Sequence, residues 1–227
     1  MKVKIKGPII NNSDAWIYEY FGIEATSPSM VDKVLEKANG EDLEVEINSG
    51  GGSVFAGSEI YTALKSYKGN VTVKIVGLAA SAASVIAMAG KKVLMSPTAQ
   101  MMIHNVSSRA EGDYREMEHT AEILKSANDT IANAYRLKTG KEQDELLSLM
   151  NKETWMTAQK AKELGFIDEI MFEDLQLAAS TSYSGLLPLE VINKMRNTIK
   201  KPVQKNKLDF LMCKLNYLKL KGEKEDE

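Results

Sequence analysis

Apolar and polar positions alternate most clearly in three short runs: KVKIKGPII from Lys2, LEVEI at 43–47 and VTVKIVG at 71–77. A period of two belongs to strands that bury one face, so each run predicts a strand. AWIYEYFG, from Ala15, has mixed apolar patterning and reads as a further short strand. SPSMVDKVLEKANG instead reads as a helix, with Ser27 as its N-cap, Pro28 at the first helical position and Gly40 closing it. After LEVEI the turn NSGGG leads into a helix through Ile60, Ala63, Leu64 and Tyr67. After VTVKIVG come a helix of small residues, Ser81 to Ala89, and two strands, KKVLM and QMMIH.

Strands alternating with helices in this order predict an α/β fold on a mainly parallel sheet. The segment from Glu111 to Gly140 is long for one helix, with Met117, Leu124, Ile131 and Ala134 on one stripe and Gly140 as its stop. A helix of about 25 residues extends roughly 37 Å, more than a small core requires, so part of it is expected to pack on another subunit. DELLSLM, KETWMTAQKAKELG and a closing strand FIDEI complete the domain, which is expected to span residues 1–173. Residues 174–188, rich in Ser, Ala and Leu, read as a linker. Residues 189–227 read as a basic tail, partly helical through Leu208, Leu211, Met212, Leu215 and Leu218.

Composition narrows the setting. A chain of 227 residues with 44% hydrophobic side chains can build a core of its own. One cysteine, Cys213, excludes an internal disulfide and a cysteine metal cluster. No apolar run is long enough to span a membrane, and MKVKIKGPII is too short and too alternating for a signal peptide, so a cytoplasmic protein is expected. The net charge is −2, but from Lys194 onward ten Lys or Arg stand against five Asp or Glu, leaving +5 there and −7 before it. That tail reads either as a solvated segment or as a docking segment for a partner or nucleic acid, nucleic acid being the less expected.

Three local arrangements bear on chemistry. In EINSGGGSVFAG a strand runs into three glycines and then a helix, a loop able to present backbone N–H groups to an anion. The Gly-Lys-Ser/Thr of a phosphate loop is missing, as is dinucleotide spacing, so a plain structural turn stays open beside an oxyanion site. In VTVKIVGLAASAAS a serine falls at a second strand-to-helix turn, where Ser81 Oγ and the Ala82 N–H would face one point. The Gly-x-Ser-x-Gly form is absent, and the small residues also suit helix packing, with Ser84 on the packed side. Of two histidines, His119 lies among Glu116, Glu118 and Glu122, whereas His104 ends an apolar strand and is the candidate base for a serine. Nothing in the residues alone selects the acid behind it.

INSGGG at 47–52, GLAAS at 77–81, MIH at 102–104 and KETWMTA at 152–158 together resemble, in order and spacing, the ClpP family of self-compartmentalising serine peptidases. The resemblance implies a ClpP/crotonase-like spiral of repeated ββα units with a long protruding helix. It implies Ser81 as nucleophile, His104 as general base, Glu153 as acid, and the backbone N–H groups of Gly51 and Ala82 as oxyanion hole, with no metal or cofactor. Glu153 stands where the family usually has Asp, and Asn105 and Asp168 are the other side chains weighed for that place. Gly50 replaces the family's proline, the N-terminal segment is short, and the basic tail has no housekeeping counterpart. These departures resemble phage and prophage head maturation proteases. The partners implied are a peptide or unfolded protein substrate, a homo-oligomeric ring (a heptamer or double ring), and an AAA+ ATPase or a phage capsid or scaffold protein. Two other readings compete: an acyl-CoA enzyme of crotonase type, and a non-catalytic structural ring subunit.

Overall fold

The computed structural model describes residues 1–173; the expected linker at 174–188 and basic tail at 189–227, with Cys213, lie outside the described residues. The three alternating runs form β1 (Lys2–Lys6), β2 (Leu43–Ser49) and β3 (Val71–Ala80), paired in parallel. Their alternation has a direct physical origin. Val3, Ile5, Val45, Ile47, Val73 and Ile75 are buried in one continuous core. The intervening positions carry charge on the other face, where Lys2 pairs with Glu44 and Glu46, and Lys74 with Glu44. β4 (Lys92–Met95) and β5 (Gln100–Ile103) both pair in parallel with β3, and β6 (Thr154–Thr157) runs antiparallel to β5. β7 (Glu169–Ile170) completes a seven-stranded sheet beside β4.

Helices α1 (Ala15–Phe21), α2 (Pro28–Ala38), α3 (Val54–Lys65) and α4 (Ala82–Ala87) intervene between the early strands. α1 corrects the strand expected at AWIYEYFG. A 3-10 turn at Asn12–Asp14 feeds it, Gly22 stops it in the left-handed region, and Trp16/Tyr20 and Ile17/Phe21 fall four residues apart along its surface. Mixed apolar patterning suggested a strand there, but local turn chemistry set the conformation. Ser27 and Pro28 open α2 as expected, while the helix ends at Ala38 with Asn39 as its left-handed cap. α4 is shorter than expected, beginning only after Ser81.

The long segment is a single helix, α5 (Tyr114–Thr139), opened by a capping box of Asp113 and Glu116 and closed at Gly140. At 26 residues it extends about 39 Å. Of the expected stripe, Ile131 and Ala134 are buried, whereas Met117 is exposed and Leu124 half-buried, so only the C-terminal third enters the core. α6 (Gln143–Asn151) follows it, and α7 (Ala158–Glu163) joins β6 to β7. Among the described residues no helix is long and apolar enough to cross a membrane. The architecture is the α/β fold expected, with a mainly parallel sheet and a long helix buried only in its C-terminal third.

Phe166, fully buried, meets Tyr135 edge-on at 5.6 Å between ring centroids. Its replacement, Phe166→Ala, is expected to lower unfolding free energy by about 3–5 kcal/mol in denaturant titration, because a rigid core closes poorly over the space left.

Candidate active site

The site forms where β2 and β3 end side by side. Their register slips near this point, pairing Ile47 with Ile75 but Ser49 with Ala79, so β3 carries two extra residues opposite Asn48. Asn48 fills the gap by accepting a hydrogen bond from the Leu78 N–H at 3.1 Å. Gly77 leaves it room, since a Cβ there would lie 2.5 Å from Asn48 Oδ1. Such a bulge re-aims the strand that follows it. Next along β2, Ser49 Oγ donates to the Gly7 carbonyl at 2.6 Å and accepts from the Gly51 N–H at 3.1 Å. The Asn-Ser-Gly-Gly-Gly turn is thereby fastened to both neighbouring segments.

β3 delivers Ser81 in an unusual conformation, φ 54° and ψ −127°, immediately before α4. Holding a side-chain-bearing residue there costs on the order of 1–3 kcal/mol and is a feature of nucleophile elbows. The Ser81 N–H donates to the Met102 carbonyl at 3.0 Å, fixing the turn against β5. One residue beyond that strand stands His104, whose Nε2 lies 2.8 Å from Ser81 Oγ. The segment after His104 is clamped twice: the Val106 N–H donates to Asn128 Oδ1 at 2.7 Å, and Asn105 Nδ2 to Asn151 Oδ1 at 2.7 Å. Asn105 Oδ1 is buried and has no hydrogen-bond partner among the described residues. Beside Ser81 and His104 lies a mainly apolar pocket lined by Val54, Val85, Val106 and Ile131.

The remaining expected groups stand as follows. β5 and β6 pair Ile103 with Thr154, and continuing that antiparallel register sets Glu153 opposite His104. Glu153 has φ 49°, however, and its carboxylate accepts from the Trp155 indole at 3.3 Å; among the described residues it makes no hydrogen bond to His104. The Gly51 N–H is engaged by Ser49, as described, while its Cα side packs so tightly that a Cβ would lie 2.6 Å from Ser81 Cβ. Ala82 opens α4 directly after Ser81. Asp168 is occupied elsewhere, accepting from the Val93 N–H and Lys138 Nζ, each at 2.6 Å. Ser84 is buried beneath the turn and His119 is exposed.

Sequence reasoning missed the asparagine clamps and Tyr135, which also lines the pocket. Asn128, Asn151 and Tyr135 sit in helices and carried no spacing signal.

Against known proteins, the family model described as Clp protease matches residues 26–174. The chain belongs to the Clp protease family. A Clp family relative, the ATP-dependent Clp protease proteolytic subunit of Bacteroides fragilis, is 35% identical over 136 residues, covering 59% of this chain and 66% of that protein. The ATP-dependent Clp protease proteolytic subunit 1 of Chlamydia abortus is 32% identical over 164 residues, covering 67% of this chain and 85% of its own length. The Deinococcus radiodurans proteolytic subunit is 32% identical over 141 residues, with 61% and 69% covered. The chain thus spans somewhat under two thirds of the length of the Bacteroides relatives it matches.

Gly51→Ala is expected to cut reaction of Ser81 with a fluorophosphonate by at least about tenfold, because an added Cβ collides with Ser81 and a φ of 93° disfavours any side chain. The rate of label incorporation, followed by mass spectrometry, checks this; a wild-type rate would mean that the turn yields without moving Ser81.

Proposed function

We propose that this chain is a serine endopeptidase subunit of Clp type. The observation that carries the reading is the 2.8 Å contact between His104 Nε2 and Ser81 Oγ at a strained strand-to-helix turn, in a chain of the Clp protease family. Ser81 Oγ attacks the scissile carbonyl and passes its proton to His104. His104 returns the proton to the leaving amine, and water, deprotonated in turn by His104, hydrolyses the acyl-enzyme. The scheme needs no metal or organic cofactor.

The oxyanion of each tetrahedral intermediate would be stabilised by the Ala82 N–H, and by the Gly51 N–H once it turns from Ser49; one such donor is worth roughly 3 kcal/mol. Glu153 would act as the acid after leaving Trp155, a role supported by its register opposite His104. A peptide substrate would lie extended along the sheet edge, with an uncharged apolar side chain in the pocket of Val54, Val85, Val106 and Ile131. Assembly into a ring, supply of unfolded protein by an AAA+ ATPase and a cytoplasmic setting belong to the same proposal; the description of the relatives as ATP-dependent proteolytic subunits supports the ATPase partner. Processing of phage capsid or scaffold protein is the narrower substrate reading. It rests on Gly50 in the glycine turn and on the basic residues from Lys194 onward.

A non-catalytic ring subunit is the second reading, favoured by the Glu153–Trp155 and Gly51–Ser49 hydrogen bonds. Fluorophosphonate labelling separates the two. The peptidase reading expects one label, on Ser81, lost entirely in Ser81→Ala and still found on Ser81 in Ser84→Ala. An assembled wild-type protein that takes no label and leaves unfolded casein intact would establish the structural role. The same labelling distinguishes a crotonase-type enzyme, which has no use for a reactive serine.

For the acid, Glu153→Gln is expected to lower kcat on short peptides by about a hundredfold or more, through loss of the charge that steadies protonated His104. Near-normal turnover in that variant would remove Glu153 from the mechanism.

A further inference from the structure

The carbonyl of Ser81 is held by more than helix geometry supplies. It accepts from the Ser84 N–H at 2.9 Å and the Val85 N–H at 3.4 Å, as the opening of α4 requires. It also lies 2.6 Å from Ser84 Oγ, which is itself 2.8 Å from the Tyr135 hydroxyl. A carbonyl oxygen can only accept, so the single proton of Ser84 is committed to Ser81. The other bond must then use the proton of Tyr135. Donation therefore runs one way, from Tyr135 to Ser84 to the Ser81 carbonyl.

Both side chains are enclosed, Ser84 at 0% and Tyr135 at 1% exposure, and water does not compete for these bonds. Burial also pushes the Tyr135 phenol far above its ordinary range, which keeps the donated proton in place. Phe166 packs against the ring and fixes it on α5.

The atom at the end of this relay belongs to a particular peptide unit. The Ser81 carbonyl and the Ala82 N–H are opposite edges of one planar peptide, and the described chain contains no cis bond. Fixing the carbonyl on one side therefore fixes the direction of the N–H on the other. At Ser81, with φ 54° and ψ −127°, the backbone has no deep well of its own to hold that plane. Donors on the carbonyl also polarise the peptide and strengthen its N–H as a donor.

We propose that Tyr135 and Ser84 are positioning residues that set the plane of the Ser81–Ala82 peptide, and so aim the Ala82 N–H at the oxyanion. This deepens the peptidase reading and rests on it. Neither residue touches substrate through the relay; each acts through the backbone of the nucleophile turn.

The test uses the full-length protein with Tyr135→Phe, Ser84→Ala and the double variant. Four readouts are taken: kcat and KM on a short peptide, affinity for a peptide aldehyde that forms a hemiacetal with Ser81, and the melting temperature of the assembled protein. Ser84→Ala is expected to lower kcat by about tenfold or more, part of the effect of losing a whole oxyanion donor. Aldehyde affinity should fall by the same factor while KM stays within about twofold, because only the tetrahedral state uses the N–H. Tyr135→Phe should show the same pattern more weakly, and the double variant should match Ser84→Ala, since the two hydroxyls act in series.

Unchanged kcat and aldehyde affinity in both single variants would overturn the proposal. So would additive losses in the double variant, or losses that track melting temperature and not the aldehyde. Should Tyr135→Phe fail to assemble, Ser84→Ala alone decides by the same comparison of kcat with KM and aldehyde affinity. A wild-type protein that takes no fluorophosphonate on Ser81 defeats the peptidase reading and this proposal together. Wild-type labelling with indifferent variants defeats the relay alone.

Discussion

The close approach of Gly51 to Ser81 is the constraint around which the rest of the site is arranged. Two parallel strands end together, and their following turns meet with no space for a side chain on one of them. The bulge opposite Asn48 gives β3 the extra length to reach that point, and the Ser49 hydroxyl ties the glycine turn to Gly7 behind it. His104 comes into range because β5 pairs with the far end of β3, register Ala80 to Met102, and the Ser81 N–H extends that ladder by one bond. Three backbone segments distant in sequence thus converge through hydrogen bonds that belong to the sheet. The chemistry is placed by strand register more than by side-chain contacts.

This explains what could be read from sequence. KVKIK, LEVEI and VTVKIV alternate because one face of the sheet is buried and the other carries a lattice of Lys and Glu, so the pattern reports the fold directly. The turn at Ser81 was marked by its small neighbours, which left helix packing and a reactive turn both open: Ala79, Ala80 and Ala82 are all buried where β3 passes into α4. AWIYEYF misled because seven residues hold too few repeats to separate a helix from a strand, and its fate was set by the Asn12–Asp14 turn before it and Gly22 after it.

What sequence could not supply were the long-range polar ties. Asn128 and Asn151 look like ordinary polar helix residues until the loop after β5 is laid against them. The candidate acid is harder still. The register puts Glu153 across from His104, but the side chain settles on the Trp155 indole, a choice made by rotamers that no motif encodes. Asp168, in contrast, is fully accounted for by the β4 backbone and Lys138, and serves as a brace between the sheet and the base of α5.

The charged face of the sheet has one more consequence, for solubility. Among the described residues β1 is the outermost strand beside β2, only five residues long, and it carries Lys2, Lys4 and Lys6 on one side. A short edge lined with ammonium groups is a poor template for a stray strand, because a second copy would have to bring its own lysines alongside. Lysine–glutamate pairing within the sheet satisfies part of that charge internally and leaves enough to repel a like edge. The same alternation that writes the fold into the sequence thereby lines the outermost described strand with charge, which disfavours strand addition along it.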